Sequence, residues 1–179
     1  MSPQEVKQQN LVAIYQALLQ LMTQKPMAAI SVTELCQAAK VSRSYFYRHY
    51  TTFDQIILAY QEQNMLHYLR QLPNQSQVSL ADLMTHYFEL TQTEVATTRL
   101  LIKNGKLDVL VQTFQTVFKL LIKQNRVSNP RGMHIFEEPY YYEFFSGAVV
   151  NVAVNWVQRD MPEPPKYLGQ QIDHLAKYH

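Results

Sequence analysis

The sequence predicts an all-α protein, and three observations support that fold class. Glycine is scarce, with 4 residues in 179, which argues against a β-rich fold with many tight turns. Leucine, glutamine, alanine, lysine and methionine, which are good helix formers, are common. Apolar residues recur at intervals of three and four positions, as in a helix with one buried face. The first such helix spans residues 3–24, and its apolar positions are Leu11, Ile14, Tyr15, Leu18 and Met22.

Two short helices follow, and a tight turn joins them. Ser31 and Glu34 have the spacing of a capping box, in which each side chain bonds the backbone N–H of the other residue. This pattern predicts a helix over residues 32–39. Ser42 is an N-cap for the next helix, over residues 43–49. The arrangement is that of a helix-turn-helix.

A helix-turn-helix over about residues 31–50 predicts DNA binding. The second helix of this motif enters the major groove, where its first residues reach base edges and arginine can pair with guanine through two hydrogen bonds. Residues one turn later donate to phosphate oxygens. The residues expected at bases are Arg43, Ser44 and Tyr45, and those expected at phosphates are Tyr47, Arg48 and His49. The cap residue Ser42 is also expected to contact the DNA. Within this second helix and its end, only Phe46, and in part Tyr50, must face the protein core.

Charge and cysteine content are consistent with that prediction. Residues 1–53 carry five basic and two acidic residues, a net charge of +3. The remainder of the chain carries 11 basic and 12 acidic residues, a net charge of −1. A basic segment favours a polyanionic partner. The single cysteine, Cys36, excludes an intrachain disulfide and fits a reducing compartment. No stretch approaches the roughly 20 apolar residues of a membrane span. We therefore expect a cytoplasmic protein without a membrane partner.

Helical patterns continue to the end of the chain. They lie at about residues 52–72, 79–94, 96–103, 106–126, 138–159 and 165–177. The helix at 138–159 is apolar around most of its circumference, which predicts burial on two sides. One side can face the core of the protein and the other a second copy, although a central helix of a monomer is the alternative. The candidate dimer-interface residues are Gly147, Val149, Val150, Ala153, Val154, Trp156 and Val157.

The stretch "ISVTELCQAAKVSRSYFYRHYTTFDQIILAY" resembles the DNA-binding segment of the tetracycline-repressor (TetR) family of bacterial transcriptional regulators. The resemblance implies an N-terminal three-helix DNA-binding domain over residues 1–51. It also implies a helical ligand-binding and dimerisation domain over residues 52–179, with the helix at 52–72 connecting the two. By the same resemblance, Ser31 and Thr33 approach the DNA backbone.

The family resemblance also implies a mode of action. Such proteins dimerise through their last two helices on a palindromic operator in double-stranded DNA, and a repressor released by a small-molecule effector is the expected type. Ordinary core packing is the alternative role for every candidate in the effector pocket. These candidates are Met84, Tyr87, Phe88, Leu100, Phe114, Phe118, Tyr141 and Phe145.

Three positions depart from the family pattern. Lys40 replaces the usual turn glycine, Tyr45 replaces threonine or serine, and Phe53 replaces a lysine that often binds phosphate. The alternative to a DNA-binding regulator is therefore a TetR-like coactivator or protein-interaction module that has lost DNA binding.

An enzyme is not expected. The six histidines show no metal-ligand spacing with each other or with Cys36. The sequence contains neither a Gly-x-Ser-x-Gly nucleophile turn nor a glycine-rich phosphate loop. We expect no catalytic residue, no metal and no cofactor.

Overall fold

The computed structural model describes residues 2–71, 77–128 and 133–178, and it confirms the predicted all-α fold class. The helices are α1 (Pro3–Gln24), α2 (Val32–Ala39), α3 (Arg43–His49), α4 (Phe53–Gln71), α5 (Leu80–Thr93), α6 (Val95–Lys103), α7 (Leu107–Lys123), α8 (Tyr141–Gln158) and α9 (Pro165–Tyr178). Short 3-10 helices span Met27–Ala29 and Met133–Glu137. Residue 72, the predicted end of the fourth helix, lies outside the described residues. No described helix is both long and apolar enough to cross a membrane.

A small parallel sheet was not predicted. Strands β1 (Val78–Ser79) and β2 (Val127–Ser128) pair side by side, just before α5 and just after α7. The prediction that the helix continues to residue 126 is wrong, because Asn125 adopts a left-handed conformation with φ of 54° and the chain then enters β2. Strands of two residues are too short to give a periodic pattern in the sequence.

The cap of α2 is only half of the predicted capping box. The Ser31 hydroxyl accepts a hydrogen bond from the Glu34 N–H at 3.2 Å, so the predicted N-cap is confirmed. The Glu34 carboxylate instead pairs with Lys25 Nζ at 2.6 Å. This hydrogen bond lowers the pKa of Glu34. A complete capping box forms at the start of α1, between Ser2 and Glu5.

Two groups of buried apolar residues hold the helices together. The N-terminal cluster consists of Leu11, Ile14, Tyr15, Ala17, Leu18, Leu21, Met22, Ile30, Leu35, Cys36, Ala39, Phe46, Tyr50, Ile56, Ile57, Leu101 and Val109. The C-terminal cluster consists of Leu83, Met84, Phe88, Phe114, Val117, Phe118, Leu121, Ile122, Val127, Phe136, Phe145, Val149, Val150, Ala153, Trp156, Val157, Leu168 and Ile172. Helix α4 belongs to both, because its second half packs against the C-terminal cluster through Met65, Leu66 and Leu69. The domain boundary expected at residue 51 stays a prediction.

Helices α5 and α9 approach closely at Gly169. A Cβ atom built there would lie 2.2 Å from Thr85 Oγ1, 2.6 Å from the Ala81 carbonyl oxygen and 2.7 Å from the Thr85 nitrogen. Two of these three atoms belong to the backbone of α5 and cannot rotate away. The crossing therefore requires a residue without a side chain.

The turn between α2 and α3 depends on Lys40. Its φ and ψ are 55° and 38°, in the left-handed region. The Val41 N–H donates to the Cys36 carbonyl at 3.0 Å, and the Lys40 N–H donates to the Gln37 carbonyl at 3.3 Å. These bonds define a Schellman motif, which usually has glycine at the left-handed position. Val41 then packs against the N-terminal cluster and fixes the direction of α3.

Replacing Gly169 with alanine should destabilise the protein by about 1–3 kcal/mol, because the added methyl group overpacks the crossing of α5 and α9. Gly147→Ala is the matched control, since a Cβ there meets nothing within 4 Å. That variant should gain about 0.5–1 kcal/mol from the higher helix propensity of alanine. Urea unfolding followed by circular dichroism measures both effects. Equal effects of the two substitutions would contradict the close approach.

Replacing Lys40 with glycine should stabilise the protein by about 0.5–1 kcal/mol. Glycine removes the cost of a left-handed side-chain-bearing residue, about 1–2 kcal/mol, but it also increases the entropy of the unfolded chain by about 0.4–1 kcal/mol. Lys40→Ala removes the charge and keeps the unfavourable backbone conformation, so it should give little gain. If alanine stabilises as much as glycine, the charge of Lys40 rather than its backbone is the destabilising feature.

Candidate nucleic-acid interface

Phe46 anchors the recognition helix α3. Its side chain is almost completely buried in the N-terminal cluster. The rings of Tyr50 and Phe53 each lie with their centroids 6.0 Å from that of Phe46, and Phe53 meets it edge to face. Phe53 therefore holds the start of α4 against α3. Burial of Phe46 and Tyr50 agrees with the sequence prediction.

Most of the predicted DNA-contacting side chains are exposed at the start of α2 and around α3. Ser31 and Ser42 each cap a helix by accepting a backbone N–H, at 3.2 and 3.0 Å. Each hydroxyl can still donate its own hydrogen to an acceptor such as phosphate. The exposed residues are Ser31, Thr33, Ser42, Arg43, Ser44, Tyr47, Arg48 and His49.

Arg43 and Tyr47 interact one helical turn apart. The guanidinium carbon of Arg43 lies 5.9 Å from the ring centroid of Tyr47, over the ring face. Tyr47 is 57% exposed and Arg43 is exposed as well, so both side chains are open to solvent. A cation–π contact at an exposed site contributes about 0.5–1 kcal/mol. This contact favours a limited set of Arg43 conformations at the leading end of α3.

Tyr45 differs from the other predicted base contacts. The residue is half-buried, and its hydroxyl oxygen is buried with no hydrogen-bond partner among the described residues. Its ring centroid lies 4.4 Å from that of His49. An unpaired buried hydroxyl costs about 1–3 kcal/mol. A contact between this hydroxyl and a base requires the side chain to turn outward, and the contact stays a prediction.

The end of α6 joins residues 2–60, which contain the helix-turn-helix and which we call the DNA-binding half, to the rest of the chain. Leu101 is completely buried in the N-terminal cluster. The Asn104 carboxamide oxygen accepts a hydrogen bond from the Met27 N–H at 3.1 Å, and Lys106 Nζ lies 2.8 Å from Asp54 Oδ1. These contacts have no signature in the sequence, because they join positions far apart in the chain.

The predicted effector-pocket residues do not line one cavity. Met84, Tyr87, Phe114 and Phe118 border a small apolar cavity. Phe88 is buried in the C-terminal cluster, and Leu100 packs against the N-terminal cluster. Tyr141 and Phe145 instead line a groove beside α8 and α9.

The predicted dimer-interface residues lie mostly in the core of the single chain. Gly147 and Val154 are half-buried. The fully buried ones are Val149, Val150, Ala153, Trp156 and Val157. The apolar surface that solvent reaches is formed by other residues. Tyr140, Phe144 and Leu175 are 81%, 71% and 52% exposed, and they border a groove of about 520 Å³.

The groove beside α8 and α9 is lined mainly by apolar side chains, and we call it the apolar groove. Its lining residues are Ile135, Glu138, Pro139, Tyr140, Tyr141, Phe144, Phe145, Ala148, Val149, Val152, Ile172, Leu175 and Ala176. Within the described ranges, no three histidine, cysteine or acidic side chains come together as a metal-binding group.

The fold matches solved structures at low sequence identity. A crystal structure of Lin0861 from Listeria innocua has a TM-score of 0.77 and 15% identity, over 99% of this chain and 94% of that one, which shows the fold. Two proteins named FadR, described as a fatty acid degradation regulator and as a transcriptional regulator, give lower TM-scores. The Bacillus halodurans protein has a TM-score of 0.49 and 13% identity, over 98% and 95% of the two chains. The Bacillus subtilis protein, solved in complex with stearoyl-CoA, has a TM-score of 0.47 and 12% identity, over 92% of this chain and 96% of that one.

Family models identify both halves of the chain. No curated protein sequence matches it. Residues 14–60 match the model described as bacterial regulatory proteins, tetR family. Residues 79–178 match a TetR model described as transcriptional regulator C-terminal region. The chain therefore belongs to the TetR family of DNA-binding transcriptional regulators, with an N-terminal helix-turn-helix domain followed by a helical C-terminal domain.

Proposed function

We propose that this regulator acts in the cytoplasm as a homodimeric repressor that binds a palindromic operator and leaves it when a small-molecule effector binds. The observation that carries the DNA-binding part is the exposure of the polar side chains of α3 around the buried anchor Phe46. A helix held by one buried ring can present its remaining sides to the major groove. Two copies are needed to read two half-sites, which lie about 34–36 Å apart.

We assign different roles to the exposed residues of the helix-turn-helix. Arg43 and Ser44, at the leading end of α3, contact base edges, and Tyr45 joins them if its side chain turns outward. The remaining residues fix the position of the protein on the DNA backbone. These residues are Ser31, Thr33, Ser42, Tyr47, Arg48 and His49.

The apolar groove supports the dimer. Exposed apolar surface of this kind marks an interaction site. Phe144 on α8 and Leu175 on α9 project from the last two helices, so a second copy related by a two-fold axis would bury the same residues on both sides. Val149 of α8 is buried at the floor of this groove, whereas Ala153 is buried in the core and does not line the groove. Charged substitutions at those buried positions would unfold the protein rather than separate a dimer.

The contacts of α6 support release by an effector. A ligand that displaces α6 moves Asn104 and Lys106, which are joined to Met27 and Asp54 of the DNA-binding half. Such a displacement would change the spacing of the two recognition helices in a dimer. Repression requires no additional interaction surface on the protein, because a dimer bound at a promoter blocks RNA polymerase from that promoter.

Arg43→Ala should weaken binding to the cognate operator by about 1–3 kcal/mol and relax the preference at one position of each half-site. Tyr47→Phe keeps the ring beneath Arg43 but removes a hydrogen bond to phosphate. This variant should weaken binding to cognate and to scrambled DNA equally. The salt dependence of binding should not change, because a neutral phenol displaces no counterion. Fluorescence anisotropy with DNA from upstream of the gene, at several salt concentrations, measures these effects.

The matched control for this titration is Arg159→Ala, at an exposed arginine that pairs with Glu163 at the end of α8. It should leave DNA binding unchanged. If Arg43→Ala weakens binding to cognate and to scrambled DNA equally, Arg43 contacts phosphate and not a base. If the wild-type protein binds no duplex, the chain acts as a protein-interaction module instead.

Phe144→Glu should convert the dimer to a monomer, because it places a charge in the apolar groove where the two copies meet. Leu175→Glu should do the same from α9. Leu107→Glu is the control, since Leu107 is an exposed apolar residue on α7. Sedimentation equilibrium at micromolar concentration gives the mass of each variant. A wild-type chain that sediments as a monomer would rule out the dimer.

A further inference from the structure

Two cavities lie side by side in the C-terminal half, and Met65, Tyr87 and Leu90 line both. The apolar cavity, about 20 Å³, continues toward Phe114 and Phe118. The second, about 40 Å³, has polar side chains along one wall, and we call it the acceptor cavity. The polar residues of that wall are Gln61, Thr91, Glu94, Thr98 and Thr113.

The polar wall presents mainly hydrogen-bond acceptors. The Thr91 hydroxyl donates to the Tyr87 carbonyl at 2.9 Å, and the Thr113 hydroxyl donates to the Val109 carbonyl at 2.8 Å. Each threonine has therefore used its only hydrogen, so its oxygen can only accept. The Gln61 carboxamide nitrogen donates to Tyr15 Oη at 2.6 Å, and its carbonyl oxygen can act only as an acceptor.

Glu94 adds a negative charge to this wall. The residue is half-buried at the junction of α5 and α6, and no described residue forms a hydrogen bond or ion pair with its carboxylate. No lysine, arginine or histidine lines the acceptor cavity. Burial, and then the charge of Glu94, raises the pKa of Tyr60, so this nearby phenol stays neutral. A half-buried carboxylate on a cavity wall that carries no basic side chain is complementary to a positive ligand.

We propose that these two cavities bind an amphiphilic organic cation, with its ammonium group against Glu94 and its apolar chain extending past Met65 toward Phe114. This inference rests on the proposed release by an effector and specifies the chemical class of that effector. Primary and secondary amines fit best, because their N–H groups can donate to Glu94, Gln61 and Thr98. Carboxylates are excluded from the acceptor cavity by the charge of Glu94.

The ligand must change the shape of the protein in order to enter. Pockets for drug-sized ligands measure roughly 300–1,000 Å³, far more than the two cavities together. Met65, a flexible side chain on the wall between them, must move aside for a chain to pass. Glu94 directly precedes α6, and the other end of α6 contacts the DNA-binding half. An ammonium group that draws Glu94 inward therefore acts on the helix that contacts the DNA-binding half.

The test is calorimetric titration of the full chain at pH 7 with decylamine, decanol and decanoate, each below its micellar concentration. Decylamine is protonated at this pH and should bind about tenfold or more tightly than decanol, which is the effect of one hydrogen-bonded charge pair. Decanoate should bind more weakly than both. Glu94→Gln should abolish the preference for the amine over decanol.

Glu62→Gln is the matched control, because it removes the same charge next to Gln61 at a position that lines neither cavity. This variant should keep the preference for the amine. The inference is overturned if the wild-type protein binds decylamine no more tightly than decanol, a comparison that depends on no variant folding. It is also overturned if folded Glu94→Gln keeps the preference.

Anisotropy with the DNA upstream of the gene separates this inference from the proposed function. Decylamine should release the wild-type protein from that DNA and should release Glu94→Gln about tenfold less effectively. Failure to bind the DNA without any ligand contradicts the proposed function alone, since the calorimetry does not involve DNA. DNA binding that decylamine does not weaken overturns the assignment of the amine as effector.

Discussion

The contact between the end of α6 and the DNA-binding half is the constraint on which the rest of the structure depends. The N-terminal cluster is incomplete without Leu101 and Val109, which come from the other half of the chain. Burial of these side chains stabilises the helix-turn-helix and, by the same contact, couples its position to α6 and the start of α7. A DNA-binding unit with a self-sufficient core would be insensitive to anything that happens among the C-terminal helices.

Local chemistry made the helix-turn-helix predictable. The caps at Ser31 and Ser42 and the left-handed Lys40 are set by a few consecutive residues, so the sequence predicts them directly. The partner of Glu34 was not predictable in this way. Its carboxylate pairs with Lys25 from the preceding helix rather than completing the local cap. The buried hydroxyl of Tyr45 also depends on its spatial neighbours.

Periodicity alone could not assign the two apolar sides of α8. It indicates correctly that the helix is buried over most of its circumference, but it does not identify the neighbouring helices. Val149 and Trp156 are covered by the same chain, whereas Phe144, on the same helix, is left open. Glu94 was missed for a related reason. A single acidic residue between two helices has no sequence signature, and its significance comes from the cavity that the fold forms beside it.

The close crossing at Gly169 packs α5 and α9 against each other as one body, because their backbones are in contact there. Helix α5 contributes a wall to both cavities, and α9 carries part of the exposed apolar groove. A shift of α5 is therefore also a shift of α9. If a ligand and a second copy each favour one position of this body, their binding free energies are coupled by equal amounts in both directions. The affinity of the effector would then depend on the protein concentration, and the dimer constant would depend on the effector.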